Sequence, residues 1–143
     1  MAKEPMNLFE QLRRDEGWKR QMYEDSEGHL TIGCGHKLRG GYDLSDAAIE
    51  CILLDDVEFT DQTLRKLAPW VETLDIVRRE ALLNMGFNVG VAKMLRKNPL
   101  MIGAVRHMDW EEARRQLLGG TYEAQVGDRA RRLGRQLLTG LRQ

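Results

Sequence analysis

Six of the chain's 14 glycines fall between residues 17 and 41, and they decide what the first third can become. Between Gly17, Gly28, Gly33, Gly35 and Gly40-Gly41 stand only short runs, with strand formers at Met22-Tyr23 and Leu30-Thr31-Ile32. The segment therefore reads as short strands joined by tight turns, with Ser26-Glu27-Gly28 as one turn. Upstream, Asn7 and Glu10 form a capping-box-like pair, and Leu8, Phe9 and Leu12 give a helical stripe that Gly17 ends. Downstream the breaks are farther apart. Ser45 caps a long helix through Ile49, Ile52, Leu53, Val57, Leu64 and Leu67, and Pro69 ends or restarts it. Helical segments follow near 74–87, 91–97, 99–107, 110–118 and 128–139, separated at Gly90, Pro99, Gly119-Gly120 and Gly127. No internal repeat is visible. The fold class expected is α+β, mainly helical, in one domain over 1–143. It divides into a small β-containing lobe over 17–44, a connecting helix over 45–67, and a helical lobe built from 7–16 and 68–143.

Several function classes are disfavoured at once. No apolar run approaches the ~20 residues that span a bilayer, and Met-Ala-Lys-Glu-Pro lacks the apolar core of a signal peptide. The expectation is a chain made in a cytosol, which needs another agent to leave it. Cys34 and Cys51 do not make a disulfide framework or a zinc site, and Cys34, between two glycines, reads as a small buried thiol. Net charge is zero but uneven. Tyr42 to Thr63 holds seven acids and no base, whereas Lys93 to the end holds eleven bases against five acids. A basic half of this kind is either an attraction to an anionic surface, nucleic acid or cell wall, or a solvated helix face.

The segment from 16 to 36 carries the chemistry. Glu16-Gly17 is followed by Asp25 and then by Thr31-Ile32-Gly33-Cys34-Gly35-His36. Glu16 closes a helix, beside the partial negative charge of its C-terminus, where an acid is locally unfavourable. Asp25 and Thr31 flank one turn with an even spacing, so they can share a face of the ribbon. Two carboxylates and a hydroxyl so placed suit cleavage of a glycosidic bond: one acid protonates the leaving oxygen while the other groups hold or activate a water. The alternative is that Asp25 supports the turn and Thr31 is an ordinary strand residue. His36 lacks a second metal ligand at helical or strand spacing, and reads better as a buried histidine paired with a carboxylate. His29 and His107 read as surface residues. Trp70, Phe87, Trp110 and Tyr122 read as core, with one or two available to line a groove.

These residues carry a resemblance. The stretch Met6-Asn7-Leu8-Phe9, D-E-G at 15–17, Tyr23 with Asp25, and E-G-x-x-T-I-G-x-G-H at 27–36 resemble the phage-type lysozymes, or endolysins, of glycoside hydrolase family 24. Further matches stand at Asp56-Val57, at D-x-V-R-R-x-A-L-x-N-M-x-F from 75 to 87, at Trp110-x-Glu112-Ala113 and at Asp128-Arg129-Ala130-x-Arg132. The T-even phage branch is the most similar, and the chain is shorter than that branch between His36 and Asp56. The resemblance implies a two-lobed lysozyme-like fold. It implies a muramidase that hydrolyses the β-1,4 bond between N-acetylmuramic acid and N-acetylglucosamine with inversion, using no metal or cofactor. Glu16 would be the general acid, Asp25 would place or activate the attacking water, and Thr31 would hold it. Arg129 would pair with the catalytic acid and His36 with Asp56. Phe87, Gln116, Lys37 and Met101 are the implied substrate-binding positions, with Gln116 and Lys37 replacing an asparagine and a leucine of the T-even branch.

The implied partner is peptidoglycan, with access from the host cytoplasm to the periplasmic wall through a holin or other membrane lesion. Nucleic acid is not a partner on this reading, and the protein works as a monomer. Two other readings stand beside it. One is a lytic transglycosylase, against which Asp25 and Thr31 argue because that reaction needs no positioned water. The other is a non-catalytic module that binds wall or nucleic acid through the basic half.

Overall fold

A computed structural model describes residues 8–41 and 43–143, in two compact units that divide between Ser45 and Asp46. The expected cap at Asn7 lies outside the described residues. The fold is mainly helical α+β, as expected.

The first unit opens with helix α1 (Leu8–Glu16), which Gly17 terminates in the left-handed conformation at φ 82°. The apolar stripe is present but not buried: Leu8, Phe9 and Leu12 are all exposed. Three strands follow, β1 (Lys19–Glu24), β2 (Leu30–Gly33) and β3 (His36–Lys37), in an antiparallel sheet of order β1-β2-β3. The expected turn joins β1 to β2, and a second turn through Gly35 adds the short third strand. Tyr23 lies opposite Thr31, and Thr31 lies opposite Lys37. Cross-strand partners point to one face, so this register aligns three side chains across the sheet. Cys34 is half-buried rather than buried, since it sits at the exposed turn, and neither cysteine is in a disulfide.

The second unit holds the core. Helix α2 (Asp46–Leu67) leads into a 3-10 helix (Pro69–Thr73) started by Pro69, then α3 (Ile76–Val89), α4 (Val91–Lys97) and α5 (Pro99–Arg106). Helices α6 (Trp110–Leu118), α7 (Thr121–Val126) and α8 (Asp128–Thr139) complete it. Asp75 and Asp109 cap α3 and α6, each accepting the backbone N–H three residues on. Leu64, Val71, Leu82, Met85, Met94, Met101, Val105, Leu117 and Leu137 form the centre of the core. Gly86 of α3 lets Val91 pack closely there, since a Cβ would sit a tight 3.0 Å from Val91 Cγ2. Only Leu64 of α2 is buried; Ile49, Ile52, Leu53 and Phe59 keep about half or more of their surface. Helical periodicity thus marked a real helix but overstated how much of it enters a core.

Two side chains close this unit on itself. Arg78 of α3 donates from Nε to Leu137 O at 2.7 Å and from Nη2 to Leu138 O at 3.0 Å, while its guanidinium stacks 4.2 Å over Trp110. Gln136, buried on α8, donates to Val77 O at 2.8 Å. Among the described residues, three of the eleven bases of the basic half are held in ion pairs, Arg131 with Asp128 and Glu123 among them. Arg115 pairs with Glu112 and Arg142 with Glu80, which favours a solvated ionic face over a free cationic patch.

Candidate active site

The β1–β2 turn is built around one carboxylate. Asp25 N donates to His29 O at 2.9 Å, and Gly28 N donates to Asp25 O at 3.0 Å, which closes the backbone. Inside that loop Asp25 Oδ1 accepts the N–H groups of Glu27 at 2.9 Å and His29 at 2.8 Å. Its side chain is only 18% exposed. Tyr23 pairs with Thr31, so Asp25, two residues beyond Tyr23, falls on the same face as Thr31. Thr31 is buried, and its hydroxyl donates to His29 O at 3.0 Å. That leaves the oxygen's lone pairs as what it can offer a water.

Asp25 is not alone. Lys37 Nζ lies 3.1 Å from Asp25 Oδ2, 3.0 Å from Glu27 Oε2 and 3.5 Å from His29 Nδ1. The His29 amide does most to hold the Asp25 carboxyl well below the usual carboxylate range; desolvation opposes it next, and the Lys37 ammonium and the Glu27 amide then lower it further. Glu27 and Asp25 in turn raise Lys37 above the ordinary lysine value. Asp25, Glu27 and His29 bring ligand atoms within 4.8 Å of one another, a set that could hold a cation. The lysine ammonium already stands among them. His29 is an exposed residue, as expected, yet it has charged neighbours that its position in the sequence does not show.

Glu16 is exposed at the end of α1, and Gly17 turns the chain directly after it. Its carboxylate reaches the β2–β3 turn, where Oε2 lies 3.5 Å from the place a Cβ on Gly35 would occupy. Gly35 also has a φ of 77°. A side chain there would be strained by that backbone conformation and would lie in van der Waals contact with the Glu16 carboxylate.

The other site residues divide between the units. His36, half-buried on β3, belongs to the first, and Asp56, exposed on α2, to the second. In the second unit, Leu53, Val57, Glu80, Leu83, Asn84, Phe87 and Arg129 line an open groove of about 340 Å³. Phe87 is therefore a groove residue and not a core one. Arg129 is fixed by Asn84, donating from Nε to Oδ1 at 2.9 Å and from Nη2 to the carbonyl at 3.0 Å. Gln116 is half-buried and donates to Glu112 Oε1 at 2.7 Å; Arg115 first, and then Gln116, bring Glu112 down to about 2. Met101 is 2% exposed inside the core and presents no surface to a saccharide. The expected substrate-binding role therefore fails for Met101, which packs with Ala104 and Val105 on the buried side of α5. Sequence reasoning passed over Glu27, Asn84 and Glu80. Asn84 stood inside the quoted 75–87 pattern, so a signal for it existed.

Residues 13–137 match the phage lysozyme family. The chain is 28% identical to the pre-baseplate central spike protein Gp5 of Enterobacteria phage T4, over 94% of this chain and 28% of that protein. It is 26% identical to probable T4-type lysozyme 1 of Dictyostelium discoideum, over 94% of this chain and 95% of that protein. A second Dictyostelium protein, probable T4-type lysozyme 2, is 27% identical over 89% of this chain and 91% of its own length.

Proposed function

This chain belongs to the phage lysozyme family, a family of glycoside hydrolases, and on that premise we propose that it is a muramidase whose catalytic groups are Glu16, Asp25 and Thr31. The substrate is the peptidoglycan glycan strand, cut at the β-1,4 bond from N-acetylmuramic acid to N-acetylglucosamine. Glu16 gives its proton to the glycosidic oxygen as the bond from that oxygen to the anomeric carbon breaks. A water oxygen adds to the anomeric carbon from the other face, oriented by Asp25 and Thr31, and its surplus proton passes to solvent as the bond forms. The product is a reducing end of inverted configuration. The observation that carries this reading is the ionised Asp25 carboxylate held on the Thr31 face of the same sheet whose glycine turn receives Glu16. The biological role proposed is lysis of the host cell, with a holin or other membrane lesion giving access to the wall. Among the described residues, no helix is long and apolar enough to cross a membrane.

Glu16→Gln tests this. The variant keeps shape and folding but has no proton to give, so the turbidity of chloroform-treated Gram-negative cells should stop falling, with rates down by at least about a thousandfold. Undiminished clearing by folded Glu16→Gln would favour a non-catalytic module. Mass spectrometry of the wild-type digest separates hydrolysis from transglycosylation, because an anhydro product lacks the mass of one water.

A further inference from the structure

Lys37 stands opposite Thr31 in the β2–β3 ladder, so Asp25, Thr31 and Lys37 share one sheet face although they come from the turn and two strands. Three contacts fix the Asp25 carboxylate from its two ends. The backbone N–H groups of Glu27 and His29 hold Oδ1, and the Lys37 ammonium holds Oδ2 at 3.1 Å. Glu27 takes the same ammonium at 3.0 Å, which limits where the flexible lysine stem can carry it.

We propose that Lys37 is a positioning residue for Asp25, an internal cation that locks the carboxylate's rotation so that it can orient the attacking water. The inference rests on the reading of Asp25 given above. A carboxylate free to turn about its last torsion presents its lone pairs in many directions, and a misplaced reacting group costs rate steeply. With both oxygens engaged, one orientation remains. The groups facing Asp25 are Lys37 from β3 and Glu27 and His29 from the turn. His29 Nδ1, 3.4 Å from Oδ1, adds a second positive charge when the imidazole is protonated. The lowered proton affinity of Asp25 accords with this arrangement, and it makes the residue a better director of water than acceptor of its proton. The same ammonium fills the place where Asp25, Glu27 and His29 would otherwise gather a cation.

The test uses the full chain and the variants Lys37→Met and Lys37→Arg, with two readouts. The first follows the Asp25 side-chain carboxyl by carbon-13 NMR titration. The second measures kcat and KM on soluble, uncross-linked glycan strands. Lys37→Met should move the Asp25 midpoint upward by roughly half a pH unit, the scale of one partly exposed ion pair. It should lower kcat about tenfold with KM within twofold, the pattern of a lost transition-state arrangement. Lys37→Arg should restore the midpoint and most of kcat. An unchanged Asp25 midpoint in Lys37→Met overturns the proposal. A rise in KM at constant kcat overturns it too, and makes Lys37 a substrate contact instead. Asp25→Asn separates the two levels: full activity in that variant defeats the water-directing reading of Asp25, while the NMR midpoints still report whether Lys37 holds the carboxylate.

Discussion

Replacing Arg78 with Met should unfasten α8 from α3. The guanidinium is 17% exposed and makes two hydrogen bonds to carbonyls at the C-terminal end of α8, at 2.7 and 3.0 Å. Those carbonyls have no helical partner of their own, and the cation also meets the negative end of the helix dipole. Charge-assisted bonds to partly buried acceptors contribute about 1.5 kcal/mol each at the lower end of their range. Stacking on Trp110 adds about 0.5 kcal/mol. The pairing with the half-exposed Asp75 adds little. The sum is about 3 to 4 kcal/mol, since methionine replaces the aliphatic stem but none of the donors. For a chain of this size that lowers Tm by about 10 °C. Urea and thermal unfolding followed by far-UV circular dichroism and tryptophan fluorescence will measure it. Arg78→Lys keeps the charge but has no fork to serve both carbonyls, so it should recover about a third of the loss. A loss below about 1 kcal/mol for Arg78→Met, or wild-type stability for Arg78→Lys, would refute the account.

Two further outcomes follow from named contacts. Gly86→Val should cost about 2 kcal/mol by chemical denaturation, because the first added carbon already meets Val91 Cγ2 at 3.0 Å. Glu112 titrates at about 2, below its ordinary 4.5, through Arg115 and Gln116, so it stabilises the fold above about pH 4.5 and that share is lost as pH falls toward 2. The stability gap between wild type and Glu112→Gln, read as urea midpoints at pH 6, 4 and 3, should therefore narrow with acid; a constant gap would contradict the assignment.

Where glycine, proline or a capping aspartate punctuates the chain, the reading was close. The expected helices at 91–97, 110–118 and 128–139 coincide with α4, α6 and α8. Helix α7 escaped notice because six residues between Gly120 and Gly127 are too few to show a period. Strand β3, two residues long, escaped for the same reason. The shared face of Asp25 and Thr31 followed from counting across one turn. Lys37 did not, because its place beside Asp25 depends on two successive registers and on a side chain reaching back over the sheet. Met101 went the other way: an apolar residue on a helix can line a groove or fill a core, and only packing decides between them. Arg129 and Asn84, 45 residues apart, meet through helix packing that no local pattern encodes.

The closure of α8 on α3 also sets a timetable for synthesis. Arg78 must wait for carbonyls 59 and 60 residues later in the chain, and Glu80 for Arg142, which follows by 62. At ordinary translation rates of roughly 5 to 20 residues per second, that wait is about 3 to 12 s, plus the time for residue 142 to clear the ribosome. Throughout it, the face of α3 that α8 will cover is bare. Ribosome-bound chains halted before α8 emerges should therefore be far more sensitive to protease than chains that include it.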